Sequence, residues 1–338
     1  MRNLNSPHAL SCMLLGLFAC TIPAYALPEV TFVSATGSDT NACSQTSPCA
    51  TFQGALSKTA NGGEIDALTA GNFVTSNGLV INGSITIDGK GLASASINNG
   101  QVIAVNIGSS DTVVLRGLTI TGGSSPTAGG AVEGIYYPGG GNLIVENCII
   151  TGFTYDGIVN VTNGNTLLYV KNTTINGGAT GIYVNEDGGA TILEHVTITG
   201  TNSYGVEVLN SPGSLAINDS LIVGGAYGVD VQSSAYYGSS AFNTVLERTT
   251  ITGTTIDGLY VGIGAAGVDS STFFANGTAL EAGSGSILRI SNNNIYSNKT
   301  GLVCDSPGTI GSAGNNRKGS NSGGTATVCT SVGAITQE

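Results

Sequence analysis

Charge is scarce in this chain. Only 9% of its 338 residues are Asp, Glu, Lys or Arg, against roughly 25% in a typical soluble domain. Basic residues number 10 and acidic residues 21, for a formal charge of −11. With no basic stripe, a nucleic-acid partner is excluded. An acidic surface also repels polyanions unless cations bridge the two. Tryptophan is absent. The apolar run "CMLLGLFAC", Cys12 to Cys20, is too short to span a bilayer, so no transmembrane segment is expected. Disorder is excluded as well: 41% of residues are hydrophobic and the mean hydropathy is +0.22, whereas disordered chains are poor in apolar residues. What abounds is glycine, 52 residues, and β-branched side chains, which favour strands and turns over helices.

The first residues have the order of an export signal. Arg2 is the only charge before Glu29, the apolar run follows, and "AYA" ends at Ala26 with small residues suited to a signal peptidase. Cleavage after Ala26 makes the chain secreted, periplasmic or surface-held. The alternative is a lipobox at "LFAC" with Cys20 lipidated, which Phe18 fits poorly. Cleavage removes His8, Cys12 and Cys20 and leaves His195 as the single histidine. Export permits disulfides. "NACSQTSPCA" sets Cys43 and Cys49 on a tight loop, and Cys304 and Cys329 lie near the C-terminus. The expected pairs are Cys43–Cys49 and Cys304–Cys329, with Cys148 left over.

The chain repeats itself. "ILEHVTITGTNSYGVEV" (Ile192 to Val208) returns as "VLERTTITGTTIDGLYV" (Val245 to Val261). Aligned on Ile120, Ile150, Ile175, Ile198, Ile222, Ile251, Phe273 and Ile295, successive coils step by 22 to 30 residues. The core period is about 22–25 residues, with insertions. Five places before the anchor, every residue is apolar, Leu115 to Ile290. Two places before it stand mostly small residues, including Cys148, also facing inward. After it come a turn and "GI-V" strands with the period of two. No such strand buries its inner face alone, but stacked coils bury a continuous column. The expected fold is all-β: a right-handed parallel β-helix, a three-sheet solenoid, its hand following the crossover rule. Phe52, Ala55 and Leu56 form the apolar face of a short N-terminal capping helix. The division is 1–26 signal peptide, 27–78 N-terminal opening with cysteine loop and cap, 79–303 coils, and 304–338 terminal coil and tail. Leucine-rich repeats share the period but need a leucine consensus and a helical segment, which this chain lacks.

"TFVSATGSDTNACSQTSPCATFQGAL" and the closing "GNNR" at Gly314 to Arg317 resemble the N-terminal opening and last turn of secreted bacterial β-helix proteins of the pectate-lyase-like superfamily. The resemblance covers about Val30 to Cys329. It implies the fold and a polysaccharide bound along one face. Pectate lyases of this fold use acidic calcium ligands and an arginine base. Polygalacturonases use aspartates with a histidine and a basic residue. Neither set is found complete here, so the resemblance leaves open whether the chain is an enzyme, a polysaccharide lyase or a glycoside hydrolase.

One face nevertheless gathers chemistry. The outward positions of the "GI-V" strands read Val159, Tyr183, Glu207, Asp230, Tyr260 and Glu281; before their glycines stand Asp156, Thr180, Tyr204, Tyr227 and Asp257. Tyr183, Tyr204, Tyr227 and Tyr260 offer platforms for a glycan, with Asp156 and Asp257 as hydrogen-bonding acids. Long stretches at Ser124–Gly141 and Ser233–Asn243 wall the face as loops. Glu207 and Asp230, one coil apart, suit an acid and base or Ca²⁺ ligands, with Glu186 and Asp187 nearby. Against these stands an exposed acidic stretch that only aids solubility. His195 reads either as a base oriented by Asp219 or as one rung of a turn ladder. "GSDTN" at Asp39 is a metal ligand or a turn. Two functions follow: a protein that binds or cleaves a polysaccharide or cell-surface glycan, with Ca²⁺ as the one conceivable cofactor, or a non-catalytic structural or adhesive rod.

Overall fold

The computed structural model describes residues 26–122, 131–186, 188–209, 213–232, 243–322, 329 and 332–334. The signal segment and Asp187 lie outside the described residues, apart from Ala26. The chain winds as a right-handed parallel β-helix of three sheets, which among the described residues hold 13, 11 and 10 strands and are here called sheets 1, 2 and 3. Each coil contributes one strand to each sheet in turn, and each strand pairs in parallel with its counterparts in the coils before and after. In the repeated stretch, Ala190–Glu194 belongs to sheet 1, Thr197–Thr199 to sheet 2 and Tyr204–Leu209 to sheet 3.

The alignment on the anchor residues is the register of sheet 2: Ile120, Ile150, Ile175, Ile198, Ile222, Ile251, Phe273 and Ile295 sit on successive rungs, all buried. The corner between sheets 1 and 2 is one residue in the left-handed region. Asn147, Asn172, His195, Asp219, Arg248, Ser270 and Asn292 all hold φ between +47° and +55°. That backbone explains the asparagines of this column. Its next residue points inward, and small polar side chains there bond the neighbouring coil: Thr249 N–H donates to Ser271 Oγ, and Ser271 N–H to Asn293 Oδ1.

The glycines that open the sheet-3 strands have a steric cause. A Cβ at Gly205 would stand 2.5 Å from the Gly228 carbonyl oxygen and 2.5 Å from Ile222 Cγ2, so no side chain fits. With glycine turned inward, the residue before it and the one two places after it both face outward. Each strand thereby presents two outward columns rather than one.

The first coil is capped by the helix Phe52–Leu56, which buries Phe52 and Ala55 and packs Leu56 against the core. Thr51 caps it by accepting from Gly54 N–H, and Asp39 accepts from the Ala50 and Thr51 N–H groups. Asp39 therefore serves the turn. Cys43 bonds Cys49 and Cys304 bonds Cys329, while Cys148 is a buried free thiol. Among the described residues no helix is long and apolar enough to cross a membrane.

One expected loop is a strand. Within Ser124–Gly141, Ala131–Tyr137 joins sheet 3 between Gly100–Val105 and Asp156–Asn160; residues 123–130 lie outside the described residues. Of Ser233–Asn243, residues 233–242 also lie outside, and Asn243 begins a sheet-1 strand.

Candidate functional site

Sheet 3 brings the candidate residues together. Its register places Glu133, Asp156, Thr180, Tyr204, Tyr227 and Asp257 on one column. The second reads Tyr136, Val159, Tyr183, Glu207, Asp230, Tyr260 and Glu281. Neighbours in a column are about 4.8 Å apart. Tyr204 and Tyr227 stack with ring centroids 5.4 Å apart and planes at 16°. Glu133 and Tyr136 were missed as site residues. The signal was "EGIYY", which repeats the "DGIVN" of the next coil but lies inside the apparent loop.

The face is not the exposed acidic stretch that alternation alone suggests. Asp230 is 0% exposed and Asp257 4% exposed, Val159 is buried, and Asp156, Glu207 and Glu281 are half-buried. Burial pushes the Asp156, Asp230 and Asp257 carboxyls up to about 6. Glu207 and Glu281 rise to about 7, burial again being the main cause and neighbouring carboxylates the second. For Glu207 those neighbours are Asp230 and Asp156. Thr180, on the rung after Asp156, holds both Asp156 and Glu207 somewhat below where burial alone would put them. Burial also raises the phenols of Tyr183, Tyr204, Tyr227 and Tyr260.

The ten strands of sheet 3 hold not one Lys, Arg or His. Nothing on them neutralises the acids. Asp230 Oδ2 accepts from Gln232 Nε2 at 2.5 Å, and its buried Oδ1 has no hydrogen-bond partner among the described residues. An oxygen-only set with one unsatisfied buried oxygen suits a hard cation such as Ca²⁺, with Glu207 and Asp230 as the residues that would hold it.

Other candidates fall away from this face. Glu186 is buried at the corner after its strand, where Asn160 Nδ2 donates to it at 2.8 Å; it is not part of the columns. His195 is an exposed corner residue 3.5 Å from Glu194. Asp219 does not orient it: Arg248 takes both Asp219 oxygens, at 2.7 and 2.9 Å. A guanidinium is always charged and matches a carboxylate with two bonds, so it outcompetes the imidazole. Glu64, Asp66 and Asp88 also cluster, but the Lys90 ammonium lies 3.6, 3.0 and 2.8 Å from them and fills that site.

Fold and face together define a parallel β-helix whose third sheet presents tyrosines and desolvated acids with no basic residue on its strands. The chain belongs to the right-handed β-helix family, whose model, described as the right handed beta helix region, matches residues 77–245. Among solved structures it is similar to pectate lyase Pel9A, at 15% identity and a TM-score of 0.64 over 88% of this chain and 81% of that one. An alginate lyase from Paenibacillus sp. str. FPU-7 matches at 15% identity and TM-score 0.58, over 82% and 97%. The A-module of the Azotobacter vinelandii mannuronan C-5 epimerase AlgE6 matches at 13% and 0.56, over 74% and 71%. At these identities the likeness is one of fold. No curated protein matches in sequence.

Proposed function

We propose that sheet 3 binds a polysaccharide chain along the solenoid axis and that Glu207 is its proton donor. The observation that carries this is the state of Glu207. It is half-buried, its carboxyl is pushed up to about 7, and it lies on the rung next to Tyr183, in the strand of Tyr204. An acid that is part protonated at neutral pH suits general acid catalysis. Asp156, also half-buried and near enough for its charge to raise Glu207, is its partner base. Asp230, expected as that partner, has no exposed surface for a substrate to touch; it acts behind Glu207, its charge helping to keep the proton on. Two carboxyls flanking a glycan fit hydrolysis. With no basic residue on these strands, a neutral glycan is favoured over a polyanion. When bound at Glu207 and Asp230, Ca²⁺ would instead let the face hold an anionic chain.

The neighbouring folds include enzymes named for pectate and alginate, which supports a glycan partner. The chain is exported, residues 1–26 being removed ahead of the opening (27–78), coils (79–303) and terminal part (304–338); its two disulfides support that compartment. The test is a glycan array followed by reducing-sugar and unsaturated-product assays. Glu207→Gln is expected to abolish turnover, by about 10²-fold or more, with binding kept. Tyr183→Ala and Tyr260→Ala are expected to weaken binding with the fold intact. Unchanged binding in both tyrosine variants removes this face and leaves the non-catalytic rod.

A further inference from the structure

The three outer faces differ in chemistry, and sheet 1 carries an unbroken outward apolar column. Sheet 2 presents mainly threonine, as at Thr174, Thr197, Thr250 and Thr272, and its exposed apolar residues Ile149, Leu221 and Phe274 stand on separated rungs. The central outward column of sheet 1 instead reads Val114, Ile144, Tyr169, Ile192, Ala216 and Val245 on consecutive rungs. All are at least partly exposed, Val245 at 47%. Such a continuous apolar strip on a soluble surface marks a contact.

Beside it runs a column of charges that alternate in sign: Arg116, Glu146, Lys171 and Glu194. Within the chain Arg116 lies 2.8 Å from Glu146 and Lys171 3.1 Å from Glu194 as ion pairs, yet their side chains stay 29–39% exposed. Read from N- to C-terminus the signs are plus, minus, plus, minus. Read backwards they are the exact opposite, so the column is complementary to itself turned end over end.

We propose that sheet 1 is the interface of an antiparallel homodimer, two copies meeting face to face about a twofold axis that crosses the solenoid between the Ile144 and Tyr169 rungs. That operator lays apolar column on apolar column, Val114 on the partner's Ile192 and Ile144 on the partner's Tyr169. It lays charge on opposite charge, Arg116 on the partner's Glu194 and Glu146 on the partner's Lys171. The contact is isologous, as a twofold requires. A parallel arrangement with rungs level would set like on like. The apolar strip supplies the affinity and the charges fix the direction. Six rungs, from Thr86 to Ala216, are symmetric about that axis, with Asp88 meeting the partner's neutral Asn218; by three outward side chains they cover a patch about 30 by 15 Å. Two copies bury on the order of 900–1,000 Å², the lower edge of specific interfaces, so the dimer is weak.

Sedimentation of the purified full chain across concentration tests this. The expected result is a reversible dimer with Kd on the order of 10–100 µM. Ile144→Lys, an outward change, should leave it monomeric with its melting curve kept. Glu146→Lys sets like charges together at two symmetry-related points and should weaken dimerisation about tenfold. Adding Lys171→Glu gives plus, plus, minus, minus, which is again self-complementary, and should restore the dimer. A monomer throughout, or a dimer indifferent to Ile144→Lys, overturns the interface. Loss with Ile144→Lys but no response to the charge swap overturns the antiparallel register.

Discussion

The Cys148 thiol packs in the column between the corner and the anchor, 2% exposed, and burial pushes its pKa up to about 11. Only a thiolate is reactive. Iodoacetamide at pH 8 is therefore expected to leave Cys148 unmodified in the native protein and to alkylate it once the chain is unfolded, as peptide mass mapping reads. Alkylation of the native thiol would place it outside the core. Its inward position was legible from the column it shares with Leu118, Val196 and Thr249, because stacking demands the same of every rung. The pairing of His195 with Asp219 or of Asp219 with Arg248 was not legible. Adjacent rungs make both contacts available, and the choice rests on guanidinium geometry in three dimensions.

At the scale of the coil, each element answers to the coil next to it. The inward column and the glycines were written in the sequence because both are steric demands repeated every turn. The strand at Ala131–Tyr137 was hidden by the insertion before it, which masks the period. A second corner also escaped notice, since it matures only in the last coils. There Thr254 N–H donates to Asn276 Oδ1, Asn276 N–H to Asn298 Oδ1 and Asn298 N–H to Asn321 Oδ1, at 2.9–3.1 Å. The side-chain amide of Asn298 also donates to the Phe273 and Tyr296 carbonyls. Asn298→Ala would leave the buried Asn276 N–H without its acceptor and take one donor from each of the Phe273 and Tyr296 carbonyls. It is expected to cost about 2–3 kcal/mol in denaturant unfolding. Asn294→Ala, on the outward side of sheet 2, should stay within about 0.5 kcal/mol. Equal costs would mean that the ladder adds nothing to coil stacking.

Across the whole molecule, the scarce charges are sorted by face. Cations pair with acids along sheet 1 and its corner, where Asp88, Glu194, Asp219 and Asp269 are held below their ordinary range by hydrogen bonds and cations. Sheet 3 keeps acids alone, and its carboxyls rise to about 6 and 7 from ordinary values of 3.8 and 4.5. That burial was the part of the site that strand alternation could not reveal, because alternation gives a direction and not what covers it. The consequence is a dependence of stability on pH. Between about pH 4 and 7 the folded sheet-3 carboxyls hold protons that the unfolded chain has already released, so stability falls as pH rises through that window. Below about pH 4 the lowered carboxyls of sheet 1 and its corner are protonated in the unfolded chain first, so stability falls as pH drops. The maximum is expected near pH 4. In metal-free buffer containing a chelator, the melting temperature at pH 8 should lie about 5 °C below that at pH 5. Asp230→Asn removes one buried charge and should flatten that slope, whereas Asp219→Asn, on the corner beside sheet 1, should not. A melting temperature that rises from pH 5 to pH 8 in the wild type would mean that the sheet-3 acids are ionised and neutralised in the folded protein. The desolvated sheet-3 acids, and with them the protonated Glu207, would then be wrong.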